Sequence, residues 1–151
     1  MSQPPFELSV SRHIAATPER VWEVITQRTA EWWCPKPWRA DVVELDWRAG
    51  GRNAITMHGP DGEVHAGEGI FLSVEPGRMF AFTDAVTVTL MPQAPFMIGI
   101  IALEAKDGGT LYTATARHWS EDAMAQHRDM GFETGWSAVA GQLAELAEEG
   151  H

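Results

Sequence analysis

Near its C-terminal end the chain carries an apolar stripe, Met124, Phe132, Trp136, Val139, Leu143 and Leu146, whose members after the first recur at spacings of three and four. That period describes an α-helix with one side turned to a core. Ser120 is a good N-cap, Glu121 and Asp122 sit at the positive end, and Gly150 follows the last turn. The stretch from Ser120 to about Glu148 therefore predicts one continuous helix of about 28 residues, which at 1.5 Å per residue spans about 42 Å. A helix that long needs a broad apolar surface to lie on.

The segments before it read as that surface. Phe6 to Ile14 alternates, with Phe6, Leu8 and Val10 on one face, and predicts a first edge strand. Thr17-Pro18-Glu19 then starts a short helix that turns Val21, Trp22 and Ile25 inward. A loop with a helical turn follows from Arg28 to Pro37, unusually aromatic at Trp32 and Trp33, and Pro35 ends regular structure there. Strands are expected at Trp38 to Trp47, Arg52 to His58, Val64 to Glu75, Met79 to about Leu90, Phe96 to Ala105 and Leu111 to Trp119. Turn signals at Gly50-Gly51, Gly59-Pro60-Asp61-Gly62, Pro76-Gly77 and Lys106-Asp107-Gly108-Gly109 separate four of their junctions. In the last strand Tyr112, Ala114, Ala116 and His118 share a face that should point inward. The fold class is α+β, an antiparallel sheet crossed by one long helix, and a chain of 151 residues fits a single domain, residues 1–151 with a core from about 6 to 148.

Composition narrows the function. A net charge of −10 and 11 scattered Lys and Arg residues exclude a phosphate backbone as partner. No run of 18 apolar residues predicts a membrane span, and MSQPPFELSVSR lacks the basic start and apolar run of a signal peptide, so a cytoplasmic address is expected. Cys34 is the sole thiol and reads as inert and partly buried. Seven Trp, six Phe and seven Met beside one Tyr form a larger supply of soft apolar side chains than a small core needs.

The six histidines, His13, His58, His65, His118, His127 and His151, show no metal-ligand spacing, and no nucleophile, phosphate-loop or dinucleotide motif is present, so neither a metal nor a cofactor is expected. His118 ends a strand on the inward face, where it reads as an interior histidine bonded to a backbone carbonyl or as a proton carrier. Glu68 alternates with Val64, Ala66, Ile70 and Leu72 and points either inward or to water at an edge; Asp84, in phase with Phe80 and Phe82, has the same two readings. Trp33, Met57, Phe82, Phe96, Met97, Trp119 and Trp136 could line an apolar cavity as well as fill a core. Gly131 and Gly135, a turn apart beside the helical stripe, each cost about 1 kcal/mol against Ala. They mark close approach of the helix to its neighbours or room for a ligand.

The order of elements, with Pro18-Glu19-Arg20-Val21-Trp22, Glu31-Trp32-Trp33-Cys34-Pro35-Lys36, Gly50-Gly51-Arg52, Met57-His58-Gly59-Pro60-Asp61-Gly62, Gly69 to Glu75, and Gly131-Phe132-Glu133-Thr134-Gly135-Trp136, resembles the START-related SRPBCC superfamily. More narrowly it resembles bacterial homologues of the activator of the heat-shock-90 chaperone ATPase, from about Phe6 to Leu146. The resemblance implies a helix-grip fold, a curved antiparallel sheet of six to seven strands wrapped around the long C-terminal helix with short helices after the first strand. It also implies an apolar cavity between helix and sheet.

The expected function is non-catalytic binding of a hydrophobic, lipid- or polyketide-like molecule in that cavity by Trp33, Met57, Phe82, Phe96, Met97, His118, Gly131, Gly135 and Trp136. Alternatives are a cyclase or aromatase in which His118 or Glu68 moves a proton, and a chaperone-interacting domain presenting the acidic surface or the Trp32 to Trp38 loop. A chaperone and a second copy of the chain are the further partners considered.

Overall fold

The computed structural model describes residues 6–149. The expected stop at Gly150, His151 and the Met1–Pro5 start lie outside the described residues. Strand β1 (Phe6–Ile14) leads to helix α1 (Pro18–Gln27) and the short α2 (Thr29–Trp32). Strands β2 (Arg39–Leu45), β3 (Arg52–His58), β4 (Val64–Glu75), β5 (Met79–Thr83), β6 (Ile98–Lys106) and β7 (Gly109–His118) follow, then α3 (Glu121–Asp129) and α4 (Phe132–Glu148). The seven strands make one curved antiparallel sheet in the order β1-β7-β6-β5-β4-β3-β2. Every strand after β2 pairs with its sequence neighbour, and β1 returns to the free edge of β7.

Local chemistry explains these elements. Thr17 Oγ1 accepts the Arg20 N–H at 3.1 Å ahead of Pro18, and Ser120 Oγ accepts the Ala123 N–H at 3.1 Å, so both caps act as their positions demand. The β6–β7 hairpin turns at Asp107 and Gly108, both with positive φ (51° and 77°), the backbone that a two-residue loop between right-twisted strands requires. The inner face of β7 carries Tyr112, Ala114, Ala116 and His118, all buried. Its small residues let Val21, Ile25 and Leu143 reach a common core with Ile14, Phe71, Phe80 and Ile101. Trp22, Trp47, Phe71, Phe80, Phe82 and Trp33 continue that core as a chain of mostly edge-to-face rings 4.7–6.2 Å apart.

Two expectations are corrected, and one open reading is decided. The C-terminal helix is two helices: α3 ends at Asp129 with Met130 as its C-cap, and Gly131, at φ +100°, takes the left-handed conformation that closes α3 through its N–H to the Arg128 carbonyl. Second, β5 stops at Thr83 although Ala85 to Leu90 keeps a strand-like alternation. The Asp84 carboxylate accepts the Phe96 N–H at 2.9 Å, and Leu90 turns left-handed (φ 65°), folding residues 84–97 into a connection of their own. Of the two readings of the β4 face that carries Glu68, the outward one holds: Val64 and Leu72 face water, 66% and 42% exposed. The inner face of β4 belongs instead to His65, Gly67, Gly69 and Phe71, of which His65 and Gly67 pair with inner-face Met57 and Ile55.

Candidate functional site

The break between α3 and α4 at Gly131 and the missing side chain of Gly135 leave a space that side chains do not fill. A cavity of about 350 Å³ lies there between helices and sheet. Trp33, Met57, Phe82, Phe96, Met97, Gly131, Gly135 and Trp136 border it, together with Trp32, Cys34, His65, Ile101, Tyr112, His127, Met130, Phe132 and Val139. A smaller space of about 120 Å³ adjoins it, sharing Trp33, Met57, His65 and Phe82 and reaching Asn53, Glu68 and Asp84. Exposed His65 and Met130, the latter 68% exposed, stand at the rim of the main cavity.

Neither helical glycine marks a close approach. A Cβ built at Gly135 would meet no atom within 4 Å, and Gly131 likewise faces open space. Gly135 leaves room beside the cavity; Gly131 supplies the helix break. A contact at the cavity that does need a glycine is at Gly99 on β6, where the Phe82 ring lies directly over the missing side chain and is thereby set at the cavity wall.

The aromatic loop packs inward rather than presenting a surface: Trp32 is fully buried, Cys34 is 5% exposed, and Trp33 stacks edge-on to Trp32 and Phe82. Gln142, from α4, holds it there. Its Nε2 donates to the carbonyls of Trp32 (3.2 Å) and Cys34 (3.0 Å), and its Oε1 accepts the Lys36 N–H at 3.0 Å. Burial pushes the Cys34 thiol up, away from thiolate chemistry.

His118 does not border the cavity itself. Its Nδ1 lies 2.9 Å from the Phe6 carbonyl oxygen, as expected for an interior histidine, and its Nε2 lies 2.8 Å from Nδ1 of His127. His127, 6% exposed, is the ring that reaches the cavity, among Phe96, Phe132 and Trp136 at 4.6, 5.1 and 5.8 Å. Burial, and then His118, push its pKa down to about 4, so it is a neutral base at pH 7. Tyr112 at the cavity floor is held protonated by burial.

The remaining candidates lie elsewhere. Glu68 pairs with Arg52 at 3.2 Å on the outer face, in register with Ala54, and borders only the smaller space. Asp84 is spent on the Phe96 and Met97 N–H groups. Trp119, 53% exposed, is outside the cavity. Sequence reasoning passed over His127 and Gln142. His127 did leave a signal: it falls in the seven-residue gap in the stripe between Met124 and Phe132. Gln142 left none, because a polar residue beside an apolar stripe reads as surface.

Comparison with solved structures places this geometry among known proteins. A protein from Nitrosomonas europaea is 32% identical with a TM-score of 0.88, over 93% of this chain and 92% of that one. A protein from Mycobacterium smegmatis is 29% identical (TM-score 0.83, 97% and 94% covered). One from Arthrobacter aurescens, at 24% identity and TM-score 0.83 over 98% and 90% of the chains, shares the fold. No curated protein matches by sequence. The family model described as Activator of Hsp90 ATPase homolog 1-like protein matches residues 15–148. With nearly all of its described fold inside that match, the chain belongs to this family.

Proposed function

We propose that the protein binds a hydrophobic small molecule, lipid- or polyketide-like, in the cavity between the C-terminal helices and the sheet, and releases it unchanged. The observation that carries this reading is the cavity's wall: about 350 Å³ bordered by three Trp, three Phe and three Met side chains, with no carboxylate among its bordering residues. Apolar walls with few convergent polar groups are what small-molecule sites present. Met side chains adapt to varied ligand shapes. Glu68, paired with Arg52, and the interior His118 are poorly placed to move protons on a bound chain. Native mass spectrometry after incubation with lipid and polyketide panels tests the reading. At least one apolar compound should be retained and should raise Tm; if none is retained and none shifts Tm, the reading fails.

A second reading, contact with a chaperone, draws on the family description alone. It would use the acidic surface, since the Trp32 to Trp38 loop is turned inward, and a pull-down at low salt that recovers no chaperone removes it. A cytoplasmic location is the setting both readings assume.

A further inference from the structure

His127 brings a polar ring to the apolar wall, and the proton arrangement of its pair with His118 follows from their neighbours. A carbonyl oxygen can only accept, so the 2.9 Å contact from Phe6 requires the proton of His118 to sit on Nδ1. With the ring neutral, His118 Nε2 must then accept, and at 2.8 Å its donor is Nδ1–H of His127. That leaves His127 Nε2 as a bare lone pair. A charge on the His127 ring would be desolvated among Phe96, Phe132 and Trp136, with no carboxylate paired to either histidine among the described residues. Among the described residues His127 Nε2 has no hydrogen-bond partner, and no fully buried side-chain nitrogen or oxygen is left unpartnered. This nitrogen is therefore reachable, on a residue that borders the cavity.

Resting on the apolar-ligand reading above, we propose that His127 Nε2 is the polar anchor of the cavity, accepting a hydrogen bond from a hydroxyl on an otherwise apolar ligand, while His118 acts as a positioning residue that keeps this nitrogen unprotonated. The ligand class is thus an apolar, ring-containing or long-chain alcohol, phenol or enol, and not a pure hydrocarbon or an anion. A ligand without a donor would desolvate the lone pair and leave it unpaired. An anionic head would meet a second acceptor. The depressed basicity of His127 keeps the lone pair available at neutral pH.

The test uses 2-naphthol and 2-methoxynaphthalene, alike in shape but differing in the donor, titrated by calorimetry into the whole protein and its His127→Phe variant. Wild type should bind 2-naphthol roughly tenfold or more tighter. The variant should lose that preference, binding the two compounds with equal affinity. Long-range proton–nitrogen correlation spectra of the wild type should show both His118 and His127 in the Nδ1–H form, a readout that does not depend on the variant folding. Equal wild-type affinity for the two probes, or a His127 in the Nε2–H form, overturns the anchor while the cavity reading stands. If neither probe binds and no panel compound does, the cavity reading falls and the anchor with it.

Discussion

Gln142 makes three hydrogen bonds to backbone groups of one loop, and it does so from a helix whose neighbouring residues are apolar. Removing it should free two carbonyls and an N–H that the fold otherwise holds together. Gln142→Leu is expected to cost about 2 kcal/mol of stability and to speed amide exchange at Lys36, measured by denaturant unfolding and hydrogen exchange. Cavity size is also set by single residues. Gly135 has open space where a Cβ would go, so Gly135→Ala should stabilise α4 by about 1 kcal/mol while weakening retention of any bound molecule; thermal melts and native mass spectrometry read the two effects separately. Side chains such as Trp33, Met57, Phe82 and Trp136 were legible as cavity candidates because their type is unusual in number. His127 and Gln142 were not, because their roles depend on partners 9 and more than 100 residues away.

Among the elements, those with strong local chemistry were readable: β1, β3 and β4 match their expected bounds, and α1 begins at its expected cap. The errors fall where tertiary contacts override pattern. β5 ends early because Asp84 captures the Phe96 N–H, and the terminal helix breaks because Gly131 adopts a backbone that periodicity does not reveal. That break predicts opposite signs for two similar changes: Gly131→Ala should destabilise by about 1 to 2 kcal/mol, whereas Gly135→Ala stabilises, and equal effects in thermal melts would contradict the two roles. The far end of α4 is held by Arg20, whose guanidinium donates to the carbonyls of Leu146 (3.2 Å), Ala147 (3.3 Å) and Glu149 (3.3 Å). Arg20→Met should cost about 1 to 2 kcal/mol in denaturant unfolding, and Glu23→Gln, which touches only the exposed side of the same arginine, should cost little.

Across the whole molecule, burial of His127 links stability to pH. Its pKa is about 4 when folded against an ordinary 6.5, so between those values the unfolded chain binds more protons than the folded one. Stability from this group is complete above about pH 6.5, falls as pH drops toward 4, and changes little below it; the loss is roughly 2 to 3 kcal/mol. His127→Phe should flatten that part of the profile in melts taken from pH 7 to pH 4, and an unchanged slope would contradict the burial. The proposed ligand site lies under the C-terminal helices. Methionine-methyl NMR tests it most directly, because Met57 and Met97 border the cavity whereas Met91 is 60% exposed and lies outside it. Titration with a retained compound should shift Met57 and Met97 and leave Met91 unmoved; shifts confined to Met91, or none at Met57 and Met97, would contradict the account.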